Sequence, residues 1–286
     1  MTADVSKDHN VFEEVAKTAR WTAAARARES RRGDRLFDDP LAELLAGPEG
    51  AELLTHFHPP HAAKEGNPFL PIRTRWFDEF LAGAVGPGHQ VVGLGAGLDT
   101  RSFRLDWPEN TVLFELDQPD LLSYKESQLD SSGAARRCEC HRVPVNLAGD
   151  WTAALTGAGF DPARPTVWFA EGLLFYLPEE LAAAVVRQAA GLSAPGSRFA
   201  ADLIGTGIFR FPYLRSFLGK LEDAGSPWRF GTDDPRGFVE NCGWRVDEVV
   251  EPGEPRANYG RWPRRAAPAG FRDLPRSFLV AASART

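Results

Sequence analysis

Apolar residues recur along this chain with two periods, and the switch between them marks out the elements. From Val11 to about Arg32 there is no proline or glycine, and Phe12, Val15, Ala19, Thr22 and Ala23 fall at helical spacing. That pattern predicts a long amphipathic helix ended by Gly33. Asp39-Pro40 opens a second helix with proline in its first turn, Leu41, Leu44 and Leu45 facing inward, and Gly47 as its stop. The proline-rich stretch 57–71 reads as an irregular loop, and a third helix over about Arg73 to Ala84 follows it. From there the pattern becomes one of short apolar runs. The apolar run at Gln90-Val-Val92, Thr111 to Asp117, Cys140 to Val145, Thr166 to Glu171 and Arg198 to Leu203 read as strands. Between them Pro119 to Leu129 reads as a helix. So does the segment opened by Pro178-Glu-Glu-Leu181, with acids in its first turn and Gly191 after its end.

Strands alternating with helices predict a mostly parallel sheet covered on both faces, with ligands at the carboxyl ends of the strands. Residues 205–232 mix glycine, proline and aromatics, break the alternation and read as an inserted lid. Trp244 to Val250 and Ser277 to Ala282 are two last strands with no helix between them, as an antiparallel pair at a sheet edge requires. The expectation is one domain over 1–286: a helical cap over 1–85, then a seven-stranded α/β core over 86–286 that carries the lid. No internal repeat is visible.

The first strand empties into Gly93-Leu-Gly-Ala-Gly97, where missing Cβ atoms allow a positive φ or the close approach of a ligand. A dinucleotide fingerprint needs a further glycine at position 98, which is Leu98, so NAD is disfavoured. About twenty residues on, the second strand ends in Glu115 and Asp117, where a carboxylate accepts hydrogen bonds from ribose hydroxyls. Asn146 and Glu171 close two further strands. Polar positions at four strand ends after four apolar runs describe an adenosine site.

Composition narrows the setting. At 286 residues and 43% hydrophobic content the chain can bury a full core. A formal charge of −6 offers no global attraction to nucleic acid or anionic membrane, and the locally basic stretch 17–35 reads as a solvated helix face. No run of eighteen apolar residues and no charged-then-apolar leader is present, which points to a cytoplasmic protein off the membrane. Cys138, Cys140 and Cys242 lack zinc-ligand spacing and read as reduced and non-catalytic, and no metal is expected.

Several motifs carry a family resemblance. They are Ala25-Arg-Ala27 with Phe37-Asp-Asp-Pro40, Ile72-Arg-Thr-Arg75, Gly95-Ala-Gly-Leu-Asp-Thr-Arg101, Phe114-Glu-Leu-Asp-Gln-Pro119, Val145-Asn-Leu147, Ala170-Glu-Gly-Leu-Leu-Phe-Tyr-Leu-Pro178 and Gly243-Trp-Arg-Val246. In this order and at this spacing the chain resembles the leucine carboxyl methyltransferase family, and more closely its bacterial small-molecule O-methyltransferase branch. The resemblance implies a Rossmann-like class I fold and S-adenosyl-L-methionine as cofactor, with S-adenosyl-L-homocysteine as product. It implies that Arg73, in preference to Arg75, holds the cofactor carboxylate as a bidentate guanidinium can, aided by Arg26 with Arg28 as its alternative. Gly95 and Gly97 would lie against the amino-acid part, and Asp117 would bind the ribose with Glu115 as its rival. Asn146-Leu147 would meet the adenine where the family usually has Asp-Leu, and Glu171 the cofactor's amino group.

The resemblance further implies transfer of a methyl group to oxygen, with a small-molecule carboxylate of a natural-product type as the favoured acceptor. A phenol or hydroxyl and a protein C-terminal carboxylate stand as alternatives, and a protein that binds the cofactor without turnover is a reading of another class. A carboxylate needs no base, whereas a phenol with pKa near 10 gains from one. Tyr176 is the candidate group at the substrate oxygen, and no residue stands out as an obligatory base. His56, His58 and His61 are further candidates in the proline-rich loop. Phe209, Arg210, Tyr213 and Trp228, with Arg215 nearby, are expected to contact a flat, acidic substrate from the lid. Oligomeric state is not legible.

Overall fold

In the computed structural model, which describes residues 5–57, 67–262 and 274–285, four helices precede the first strand. They are α1 (Val5–Ser30), α2 (Ala42–Ala46), α3 (Gly50–His56) and α4 (Phe69–Ala84). The core then alternates: β1 (Gln90–Leu94), α5 (Arg101–Arg104), β2 (Val112–Asp117), α6 (Pro119–Ser132), β3 (Glu139–Pro144), α7 (Trp151–Gly157), β4 (Thr166–Ala170), α8 (Glu179–Gly191) and β5 (Arg198–Ile204). The lid contributes α9 (Gly207–Arg210) and α10 (Arg215–Asp223). Then come α11 (Pro235–Asn241), β6 (Trp244–Val250) and β7 (Ser277–Ala284). His58 and His61 lie outside the described residues.

The strands form one seven-stranded sheet in the order β3-β2-β1-β4-β5-β7-β6. β1 to β5 pair in parallel, and β7 runs antiparallel between β5 and β6. Because side chains alternate along a strand, one face packs Val92, Phe114, Trp168 and Phe199 on α7, α8 and α11. The other packs Val91, Leu113, Val167 and Ala200 against Ile72, Trp76, Phe77 and Leu81 of α4. Gly93 is in register with Phe169, and a Cβ at Gly93 would stand 2.7 Å from the Phe169 ring, so the glycine leaves room for that ring.

Strand order reverses between β1 and β4, and α1, α2 and α6 pack together beside the carboxyl end of β1 through Ala23, Leu45, Leu98 and Leu121. The segment expected as a lid packs at the same end through an aromatic chain. Trp21 of α1 meets Phe57 and Phe217, and Phe217 meets Trp228, which rests on Phe175 at 4.8 Å. The basic stretch 17–35 is engaged in ion pairs, Arg20 with Glu49 and Arg32 with Asp34 among them.

The structure adds short helices to the expected set. α4 begins at Phe69 rather than Arg73, with Pro71 in its first turn, where a missing N–H breaks no intrahelical bond. α11 begins with Asp234 capping the Gly237 N–H at 2.9 Å and Pro235 in its first turn, whereas Asp39-Pro40 does not open α2, which starts at Ala42 while Asp39 turns to Arg26. Among the described residues no helix is long and apolar enough to cross a membrane. Burial pushes the Cys138 and Cys140 thiols up to about 12, with Glu115 adding to the effect, so both stay protonated and poorly nucleophilic.

Glu115 and Lys125 are both buried and paired at 2.7 Å, with Arg142 Nε at 3.7 Å. Lys125→Met should therefore leave a nearly uncompensated buried carboxylate and lower stability in urea unfolding by about 3–5 kcal/mol. The double substitution Glu115→Leu with Lys125→Met should recover most of that loss.

Candidate active site

A cavity of about 330 Å³ opens at the carboxyl ends of β1, β2 and β4, at the reversal of strand order. Its floor is the turn after β1. Gly95 and Gly97 take φ of +62° and +50°, and a Cβ on Gly97 would meet nothing within 4 Å, so this backbone faces open space that a ligand can fill. The Gly97 N–H donates to Asp117 Oδ2 at 2.6 Å and the Gln118 N–H to Oδ1 at 2.7 Å, which fixes the carboxylate at the end of β2. Burial pushes the Asp117 carboxyl above its usual range, against those two N–H donors.

Behind the glycine turn lies a buried ionic network. Arg73 of α4 donates through Nε to Glu171 and through Nη1 to Asp202, each at 3.1 Å. Arg101 meets Asp78 at 2.7 Å, Asp99, and Glu171 Oε2 at 2.7 Å, and Arg104 binds both oxygens of Asp78. Four carboxylates face three guanidiniums, an excess of one negative charge beside the cavity. Burial opposes ionisation of Asp99, yet Arg101, Lys125 and Arg104 outweigh it and hold the carboxyl down at about 2. Burial likewise pushes Asp202 up, against Arg73 and the Gly172 N–H. Gly172 sits at φ +69°, and a Cβ there would stand 2.9 Å from Arg73 Nη1.

The opposite wall comes from α1, the turn after β4 and the end of the lid. Thr18, Thr22 and Arg26 face the cavity from α1, with Arg26 held by Asp39 at 2.8 Å and by the Leu98 carbonyl at 2.6 Å. Tyr176 faces it from a single 3₁₀ turn, Leu174–Tyr176. Burial raises the Tyr176 hydroxyl, with Trp228, Arg73 and Thr18 against it acting the other way. Ser226, Pro227 and Arg229 complete the rim.

Arg26, Arg73, Gly95, Gly97, Asp117, Glu171 and Tyr176 thus line one cavity. Other expectations need correction. Glu115 is not a cavity residue, because its carboxylate is buried against Lys125. Asn146 is exposed with Oδ1 accepting from the Ala148 N–H, and Leu147 packs on the core, so neither reaches the cavity. Arg75 pairs with Glu79, and Arg28 lies half-buried outside the cavity. Phe209 and Tyr213 are exposed, Arg210 reaches Thr206, and Trp228 packs inward on Phe175 and Phe217. His56 is exposed beside Phe57.

Sequence reasoning assigned no role to Asp78, Asp99, Arg101, Arg104 or Asp202. Arg101 follows the glycine turn by four residues, and a charged pair inside an apolar surround, Asp99 with Arg101, is the signal that was available. Among the described residues no cluster of side chains suits a metal ion. A positively charged ligand with an adenosine-like body suits these residues: the charge excess favours the cation, and the open glycine turn and the fixed carboxylate supply the cradle.

The sequence profile of leucine carboxyl methyltransferases matches residues 19–190. A protein of Saccharopolyspora erythraea, provisionally named an S-adenosyl-L-methionine-dependent methyltransferase, is 43% identical over 255 residues, covering 81% of this chain and 84% of its own. A relative from Parafrankia with the same provisional description is 46% identical over 247 residues, covering 82% and 78%. Among solved structures, a provisionally named methyltransferase of Thermobifida fusca superposes with TM-score 0.59 over 94% of both chains at 14% identity. A DUF574 family protein of Streptomyces avermitilis superposes with TM-score 0.54 over 76% of this chain and 84% of its own, at 18% identity. At those identities the likeness is one of fold, the Rossmann-like fold of class I methyltransferases.

The depressed Asp99 carboxyl carries a stability consequence. Its folded value of about 2 lies below the unfolded value near 3.9, so its contribution is complete above about pH 4 and is lost as pH falls through about 2. Urea unfolding across that window should show a loss of roughly 2 kcal/mol from this group, and Asp99→Asn should flatten the slope.

Proposed function

The chain belongs to the leucine carboxyl methyltransferase family and is an S-adenosyl-L-methionine-dependent methyltransferase, and from that premise we propose that it methylates a carboxylate oxygen of a small-molecule acid. The observation that carries this reading is the state of the ionisable groups lining the cavity. Among the described residues there is no imidazole at the cavity, Asp99 and Glu171 are bound in the arginine network, and Asp117 is held by two backbone N–H groups. Tyr176, with its hydroxyl pushed up by burial, stays protonated and offers a hydrogen bond rather than accepting a proton. A site built this way serves an acceptor that arrives already anionic.

In this reading Arg73 offers the cofactor carboxylate Nη2, the guanidinium nitrogen that neither Glu171 nor Asp202 engages, so the contact is made by one nitrogen in place of the bidentate clamp expected. Gly95 and Gly97 bring the backbone against the amino-acid part, Glu171 faces the ammonium, and Asp117 accepts from the ribose hydroxyls. Gln118 and Leu121, which line the cavity beyond Asp117, take the place expected of Asn146 and Leu147 at the adenine. The cofactor supplies an electrophilic methyl group on a sulfonium. The acceptor oxygen uses a lone pair to form the new C–O bond as the C–S bond breaks, and that bond's electron pair leaves with sulfur, giving a methyl ester and a neutral thioether. No proton is released, so no base is required. The chain's task is to align the oxygen with the methyl group and keep water out, and the Tyr176 hydroxyl holds the oxygen that does not react.

Calorimetry should give micromolar or tighter binding of S-adenosyl-L-homocysteine and none of NADH. Small aromatic acids should yield methyl esters; turnover of phenols with no ester from any acid would overturn the carboxylate reading. Tyr176→Phe should lower kcat by about tenfold, the worth of one hydrogen bond near 1.4 kcal/mol, without weakening S-adenosyl-L-homocysteine.

Gly172→Ala forces a side chain into φ +69° and against the Arg73 guanidinium. The left-handed strain alone is about 1–2 kcal/mol. Cofactor affinity should fall about tenfold or more in a variant whose circular dichroism remains native.

A further inference from the structure

Four arginines line the cavity, and three of them are engaged. Arg26 is held by Asp39 and the Leu98 carbonyl, Arg73 by Glu171 and Asp202, and Arg101 by Asp78, Asp99 and Glu171. The guanidinium of Arg229 has no ion-pair or hydrogen-bond partner among the described residues. Its backbone is nevertheless fixed: the Arg229 N–H donates to the Phe175 carbonyl at 2.7 Å, and its neighbours Trp228 and Phe230 pack inward on Phe175 and Phe238. A fixed backbone thus places an unneutralised cation at the cavity's solvent edge, on a residue bonded through its backbone N–H to the one that precedes Tyr176.

We propose that Arg229 is a specificity-determining residue that binds a second anionic group of the acceptor, so that the preferred acceptor is an organic diacid. The inference rests on the carboxylate reading above and adds to it. The oxygen that receives the methyl group lies inside, between the glycine turn and Tyr176. A guanidinium drawn against that oxygen would stabilise its charge and lower its nucleophilicity. At the exposed rim it reads the far end of the acceptor instead, where a carboxylate, phosphate or sulfonate is matched by a planar fork of N–H donors. The same cation draws dianionic acceptors to the mouth of a chain whose net charge is −6.

The test compares benzoate with its meta- and para-dicarboxylate analogues on the full chain, by ester formation and by calorimetry on protein saturated with S-adenosyl-L-homocysteine. The wild type should prefer at least one dicarboxylate over benzoate by tenfold or more in kcat/KM and in affinity. Arg229→Met should erase that preference through KM rather than kcat, and Arg229→Lys should restore part of it. Equal preference in wild type and Arg229→Met would overturn the proposal. So would a loss of S-adenosyl-L-homocysteine affinity in Arg229→Met, which would assign the residue to the cofactor. Absence of ester from every acid, with diacid binding that still depends on Arg229, would sink the carboxylate-transfer reading and leave the anion site standing.

Discussion

The arrangement turns on a set of buried charges that cannot be taken apart one at a time. Arg73 joins α4 to the turn after β4 and to β5, and Arg101 joins the turn after β1 to α4 and to the same Glu171. Taking an ion out of water costs several kcal/mol even in a relaxed protein interior, and that cost is offset only when its partners are in place. The network therefore fixes the relative positions of four elements at the reversal of strand order, where a sheet of this topology has its crevice. Gly172 follows from the same demand, because any Cβ there would strike the guanidinium that links the sheet to the helical cap.

How much of this was legible in the sequence depends on whether the signal was local. The bounds of β6 are legible as they stand, and those of β2 and β4 to within a residue, because each is a short apolar run bounded by turn residues. The helices α3, α7 and α11 were not read. Each has seven residues, too few for a hydrophobic period to emerge from the background, and only the cap at Asp150 or Asp234 marks a start. The glycine turn and Asp117 could be found because their chemistry lies within a single strand-turn unit. The partners of Arg73 lie 98 and 129 residues away, and nothing local to Asp202 in β5 distinguishes it from a solvent-facing acid at a strand end.

The lid shows the opposite failure. Its composition of aromatics and arginines suggested a substrate surface, but composition carries no direction. Trp228 and Phe217 close an aromatic chain onto Trp21 and Phe175, while Phe209 and Tyr213 turn outward. Large aromatic rings supply the apolar area that fastens a short helix to a core, so the lid's most conspicuous residues hold it down. What it gives the cavity is the plain segment after α10, where Ser226, Pro227 and Arg229 reach the rim.

Interior and rim thus carry opposite electrostatic preferences, and their separation has a functional logic. The buried network holds one more carboxylate than guanidinium and faces the glycine turn, so it favours a ligand that brings positive charge. The rim presents an arginine without a partner among the described residues and favours an anion. In the carboxylate reading, methyl transfer consumes the sulfonium charge and the charge of the reacting carboxylate, and it leaves the anionic group at Arg229 in place. The cofactor product thereby loses, at sulfur, the positive charge that the buried network favours. The charge distribution thus orders the two ligands before reaction, with the cation inside at the glycine turn and the far anion at the rim.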